Sequence, residues 1–365
     1  MPAITTFGDV LAATLAELGR NKVAQTQTYT SHPLYNNFFG KGSAVEEVHD
    51  GYRFERRIRM RDADGFQMGA LNESNPLVMS DTLETASANW CFPEQNSVAY
   101  DDRNPIFNGG ASKILDYVRN IQDGSWASWV KNLENQAASQ PASASDTKNM
   151  SGLLFIAPTV TSGSTDSSGG FNGQNHYYRG NASATTTLFG IDASLAKNAN
   201  WRSWVATHNG TFDSTTRDQT RTAMENTTFE TIPQLSMDNG RTARSMLLVN
   251  TSFMLQYERD ANLGPDDTNG DMARFNSRLK FRGIPLVKVQ AWDTLDTINS
   301  IVGVNTKHVY GVKATGAWMN EGAPTKDRAI RAFENTHLWR VPMSGVGLMF
   351  CDNLRAGIFR IHSAF

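Results

Sequence analysis

The chain predicts a mixed α+β fold on three observations. Residues 52–61 alternate charged and mostly apolar side chains with period two, as a strand with one wet face does. Residues 111–139 carry apolar positions at helical spacing over many turns. Short, wholly apolar runs such as 246–249 are interleaved with helical stretches, and no segment repeats at a fixed period.

The elements follow in order. Phe7, Val10, Leu11, Leu15 and Leu18 recur at helical spacing over residues 6–19, and Gly19 stands where a C-cap glycine belongs. Residues 20–50 read as an extended polar arm, with Leu34, Tyr35, Phe38 and Phe39 as isolated anchors. The strand at 52–61 sets Arg53, Glu55, Arg57, Arg59 and Arg61 on one face and Tyr52, Phe54, Arg56, Ile58 and Met60 on the other. Asp62–Gly65 is a reversal, and a second extended stretch runs to Trp90. A two-stranded hairpin is marginal in water unless something covers it. Its own apolar content is small, so its expected seat is another subunit.

The helical stretch 111–139 has one stripe of Ile114, Leu115, Val118 and Ile121 and another of Trp126, Val130, Leu133 and Ala137. Gly124 between them is an expected kink, since glycine costs about 1 kcal/mol against alanine in a helix. Residues 140–149 are a linker by composition, and 152–157 read as a buried strand. Residues 161–187 read as a long surface loop bearing His176, Tyr177 and Tyr178. A polar helix at 215–229, a strand at 245–250, a helix at 251–260 and strands at 279–289, 307–319 and 345–361 complete the pattern. Pro285 makes the strand at 279–289 bulged or places it at a sheet edge.

At 365 residues there is material for two cores. Lys+Arg of 34 against Asp+Glu of 36 lacks the basic excess of a dedicated nucleic-acid binder. The start, Met1–Val10, has neither a basic nor an apolar signal region, which predicts no secretion, and no apolar run approaches a membrane span. Cys91 and Cys351 stand alone and read as buried small hydrophobes.

Chemistry-bearing motifs fail on spacing. Gly40–Ser43 lacks the interval of a phosphate loop. Asp266–Asp271 resembles a calcium loop, but with Gly270 at position six, Pro265 and Asn276 occupy positions that need carboxylates. Trp201 and Trp204, three apart, read as core rather than as a sugar platform. The reading is a non-enzyme with no catalytic, cofactor-binding or metal-binding residues and no cofactor.

Four segments in the same order resemble the major capsid proteins of tailed double-stranded DNA bacteriophages, which share the Hong Kong 97 capsid fold. Gly51–Met60 (GYRFERRIRM) is similar to the ascending strand of that family's extended loop. Phe189–Asp192 (FGID) followed by Trp201–Trp204 (WRSW) resembles a passage of its axial domain. Arg278–Pro285 (RLKFRGIP) and Gly347–Phe359 resemble its later strands. The resemblance implies an N-terminal arm over 1–45 and an extended hairpin loop over 46–100. It implies a peripheral domain of 101–149 and 306–365 with its spine helix at 111–139, and an axial domain over 150–305.

It further implies a structural subunit that self-assembles into hexamers and pentamers of an icosahedral virion head, made in the host bacterial cytoplasm. The implied partners are copies of itself, a separate scaffolding protein, a portal at one vertex and packaged double-stranded DNA bound without sequence specificity. A decoration or cement protein fits as well, and no membrane is involved. Arg53, Arg57, Arg59, Arg61, Phe54 and Ile58 are the candidate intersubunit contacts. Some members join a loop lysine to a neighbour's asparagine; residues 52–90 contain no lysine, so no such link is expected here. Two other readings stand beside this one: an encapsulin-like nanocompartment shell of the same fold, and a β-rich carbohydrate-binding protein.

Overall fold

The computed structural model describes residues 32–40, 45–49, 51–61, 82–101, 111–160, 169–181, 183–227, 245–262, 280–282, 284–296, 298–316, 318, 331–332 and 338–363. The expected helix at 6–19, the reversal at Asp62–Gly65 and the acidic turn at Asp266–Asp271 lie outside these residues.

A seven-stranded mixed sheet organises the larger part. Its order is Lys280–Phe281, Ile284–Lys288, Ser245–Val249, Ile301–Asn305, Ile358–Ser363, Ser203–His208 and Gly170–Gly173. Both faces are covered, which is why its inner strands read as continuous apolar runs rather than alternating ones. Leu247, Val249, Ile301, Phe359 and Ile361 pack on Phe253 and Ala223 from the helices Thr251–Asn262 and Ser214–Thr227. Met246, Leu248, Val302, Val304 and Ile358 point into the main core. The last strand, Ile358–Ser363, lies between strands of the 150–305 segment, so the sequence-based division that gives it to the peripheral part does not follow the sheet.

The long helix is Ala111–Ala138, continuous through Gly124. Among the described residues a Cβ at Gly124 would meet nothing within 4 Å, so no packing demand there explains the glycine. Residues 33–38 form a short helix rather than an extended arm, with Pro33 in its first turn, where a missing N–H costs nothing. Leu34 and Phe38 are fully buried. The carboxylate of Glu134 on the long helix accepts hydrogen bonds from the backbone N–H of Tyr35 (2.6 Å) and Leu34 (3.2 Å), which a positive helix start favours. Burial pushes the Glu134 carboxyl up to about 7, although these two donors pull the other way.

Residues 153–156 are one helical turn, not the expected strand. An apolar run this short does not distinguish the two. What settles it is a donor far away in sequence: Arg360 donates to the carbonyls of Leu154 and Ala157, both at 3.1 Å, and its Nε to Ser300 Oγ at 2.8 Å. Arg360 is 2% exposed, and its charge is balanced by Asp296, 3.5 Å from Nη2. The expected surface loop is likewise partly structured, with strands Gly170–Gly173, His176–Tyr177 and Ala184–Thr185, and His176, Tyr177 and Tyr178 are buried. The strand expected at 279–289 is a tight hairpin, Lys280–Phe281 against Ile284–Lys288, at the sheet's edge.

Two further sheets have three strands each. One is Val45–Val48, Val309–Ala314 and Gly347–Cys351; the other is Arg331–Ala332, Leu338–Ser344 and Glu94–Asp101.

Candidate assembly surface

The arginine-rich strand is Arg53–Arg59, paired antiparallel with Leu83–Asn89 in the register Arg53↔Asn89 through Arg59↔Leu83. Its exposure alternates as the sequence requires: Arg53, Glu55, Arg57 and Arg59 are exposed, Phe54 is buried, and Arg56 and Ile58 are half-buried.

The inner face corrects the expectation that another subunit must seat this hairpin. The chain's own core seats its described part. Phe54 is 5% exposed, with its ring edge-on to Phe350 at 4.8 Å and near Trp90 at 6.3 Å. Burying a phenylalanine contributes roughly 1.5–3 kcal/mol. Ile58 packs against the same core, and Met60 is buried beside it. Phe54 is thus buried within the subunit, and Ile58, half-buried, packs on the same core.

The second strand is held from above by a strained turn. Thr187–Leu188 and Ile191–Asp192 form a two-residue hairpin whose central residues, Phe189 and Gly190, have φ of 51° and 81°. Such primed turns require positive φ at both positions, which glycine adopts freely and phenylalanine does not. Phe189 is compensated by stacking on Phe350 at 4.6 Å, and its carbonyl accepts from the backbone N–H of Ser87 at 2.8 Å. The FGID segment is therefore the clamp on the arginine hairpin. Asn200 Nδ2 donates to the Met60 carbonyl at 2.7 Å, and Lys197 pairs with Glu84.

Arg56 is the residue the sequence reading passed over. It breaks the apolar inner face, and a cation there needs partners. It finds Tyr310 Oη at 2.7 Å and Glu46 Oε2 at 2.8 Å, which bind the hairpin to the Val45–Val48 and Val309–Ala314 strands. An arginine interrupting an apolar alternation was the available signal.

The outer face keeps its charge. Opposite Arg53, Glu55, Arg57 and Arg59 stand Asn89, Ser87, Thr85 and Leu83, none of them a carboxylate. Arg59 Nε donates to the Arg61 carbonyl at 3.3 Å, and Arg61 itself is half-buried. Tyr52 (93% exposed), Phe92 (71%) and Leu83 (50%) add apolar surface around it. The strip is thus cationic and rimmed by exposed apolar groups.

Trp201 and Trp204 are core residues, 1% and 8% exposed. Both cysteines are buried free thiols, and burial pushes the Cys91 thiol up to about 11, away from reactivity. Among the described residues no helix is long and apolar enough to cross a membrane, and no cluster of three metal-ligating side chains occurs.

No family model and no curated protein matches the chain. Solved structures do. A chain of the cyanophage A-1(L) capsid asymmetric unit superposes with a TM-score of 0.57 at 14% identity, covering 94% of this chain and 96% of that one. The capsid of an empty GTA particle gives 0.51 at 10% identity, over 94% and 100% of the two chains. The capsid of the native GTA particle gives 0.50 at 11%, over 95% and 97%. What is shared at such identities is the fold, and the chain has the Hong Kong 97-like capsid fold over nearly its full length.

Proposed function

We propose that the chain is a major capsid protein of a tailed bacteriophage. Copies of it form the hexamers and pentamers of an icosahedral head around double-stranded DNA. The observation that carries this reading is the end-to-end match to the A-1(L) capsid chain, 94% of one against 96% of the other, with no large part left over for a different activity. In this reading residues 46–100 are the extended loop and the Ala111–Ala138 helix is the spine. The seven-stranded sheet, including Ile358–Ser363, belongs to the axial domain. Scaffolding protein, portal and decoration protein are the further partners it entails.

The physics of such a shell suits the hairpin. Heterologous contacts repeated about an axis close into rings. Each exposed arginine pair contributes only about 0–1 kcal/mol, so Arg53, Arg57, Arg59 and Arg61 serve register and partner choice more than raw affinity.

The test is Arg57→Glu with Arg59→Glu, scored by negative-stain microscopy and light scattering. The wild-type chain, with its scaffold if needed, forms rings or closed shells. The double variant keeps its circular dichroism spectrum and fails to assemble. A variant that unfolds as a monomer would show that these arginines stabilise the subunit itself. Nuclease protection of DNA inside purified particles separates a genome shell from a compartment for protein cargo.

A further inference from the structure

The strand Ser203–His208 runs into an Asn–Gly pair, Asn209 and Gly210, held between an imidazole and a carboxylate. An asparagine side chain can be attacked by the next backbone nitrogen, and a following glycine, with no Cβ, hinders that attack least. Here the attacking nitrogen already touches a base. The Gly210 N–H donates to His208 Nδ1 at 2.8 Å, and the other ring nitrogen, Nε2, lies 3.0 Å from the Asn299 carbonyl. A backbone N–H only donates and a carbonyl only accepts. The ring is therefore a neutral tautomer, with its proton on Nε2 and a lone pair on Nδ1. It is 4% exposed and stands edge-on to Phe253 at 5.0 Å, which keeps it in place.

The other side of the pair is held as well. Asn209 Nδ2 donates to Asp213 Oδ2 at 3.2 Å. Asp213 is fixed in turn, since its Oδ1 accepts from the backbone N–H of Thr216 at 2.8 Å in the helix Ser214–Thr227. Asn209 is exposed, so water reaches it.

We propose that Asn209–Gly210 is a self-modifying site: with His208 as base, Gly210 N closes on Asn209 Cγ and expels ammonia, leaving a succinimide that water opens. The Gly210 proton passes to His208 Nδ1 as the N–Cγ bond forms. The Cγ–Nδ2 bond then breaks, and the imidazolium returns the proton to the departing nitrogen, which leaves as ammonia. Water adds to either ring carbonyl, giving aspartate or, with the chain rerouted through the side chain, isoaspartate. Either product sets a second carboxylate beside Asp213 where an amide donor stood, so the subunit gains a negative charge with age. The reaction requires the fold of one subunit and stands apart from the shell reading.

The test ages the full chain in two arms, folded and unfolded in guanidinium chloride. Deamidation is followed by peptide mass spectrometry, with isoaspartate resolved by chromatography. Folding ordinarily slows this reaction by fixing the backbone. At Asn209 the folded arm should run roughly a hundredfold faster, the low end of what a positioned base supplies. Asn172–Gly173, in the strand Gly170–Gly173, is the internal control and should react more slowly folded than unfolded. The folded Asn209 rate should stay flat over about pH 7–9, while the unfolded rate climbs with hydroxide. Burial keeps His208 below the ordinary 6.5 against the pull of Asp213 and Asp296, with His362 the other titratable group near it, so the base is already neutral there. His208→Gln keeps an acceptor for Gly210 and a donor for Asn299, and should bring the folded rate down to the unfolded one or below. A folded Asn209 no faster than the unfolded, a folded rate that climbs with hydroxide, or a folded His208→Gln chain reacting like wild type would each overturn the proposal. Should that variant not fold, the first two comparisons, made on the wild-type chain, decide.

Discussion

Replacing Glu134 by glutamine should remove a pH dependence that runs opposite to that of carboxylates held low by an ion pair. Glu134 is 4% exposed on the long helix, and burial raises its carboxyl from 4.5 to about 7 despite the two backbone donors of the 33–38 helix. At 1.36 kcal/mol per pH unit, that displacement is worth about 3 kcal/mol. Between these two values the folded chain holds a proton that the unfolded chain has released. Stability from this group is therefore present in full below 4.5 and is lost as the pH rises through about 7. The gross profile is mixed, because His176, His208 and His362 titrate with the opposite sign. The difference between wild type and Glu134→Gln isolates the carboxyl, since the amide stays neutral throughout. Urea unfolding of the unassembled chain, followed by circular dichroism from pH 8 to 5, should show the wild type gaining on the variant. The expected gain is about 1 kcal/mol for each unit of acidification. Parallel profiles would refute the argument, because a solvated Glu134 would have the same pKa folded and unfolded and contribute no slope.

Other perturbations test separate joints. Arg360→Met leaves Asp296 buried without its cation and strips two carbonyls of their donor, and should cost about 3–5 kcal/mol in urea; Arg360→Met with Asp296→Leu should recover part of that. Burial lowers the His176 imidazole to about 4, so its stabilisation is complete above pH 6.5 and lost as the pH falls toward 4; His176→Asn, which keeps a donor for the Phe155 carbonyl, should flatten that acid limb. Gly311→Ala sets a Cβ 2.2 Å from the Phe38 carbonyl oxygen and must displace the 33–38 helix, at about 1–3 kcal/mol in thermal or urea unfolding. Gly124→Ala, with open space around it, should instead gain about 1 kcal/mol.

Long periodic elements were legible in the sequence. The helix Ala111–Ala138 and the alternation over Arg53–Arg59 stand where period alone put them. Short elements were not, for reasons visible in single residues. Leu153–Ile156 is a helical turn because Arg360, more than two hundred positions later, satisfies its carbonyls. Pro33–Phe38 is a helix because Glu134, about a hundred positions away, receives its first N–H groups. Local pattern cannot report a partner that only tertiary structure supplies.

The hairpin shows the same limit in the part that matters for assembly. Its sequence declares one charged face and one largely apolar face, but it does not declare what covers the apolar one. Phe54 and Arg56 are covered by Phe350 and Tyr310, residues of this same chain from strands near its C-terminal end. Anchoring the inner face within the subunit changes what the outer face can do. A hairpin seated on a neighbour would be ordered only by assembly, and its arginines would contribute binding energy after meeting that ordering cost. A hairpin already clamped by Phe54, Arg56 and the Phe189 carbonyl presents Arg53, Arg57 and Arg59 in a fixed row before any neighbour arrives. In the proposed shell the entropy of ordering that row is borne by folding and not by association, so modest surface ion pairs would suffice to select the neighbouring copy.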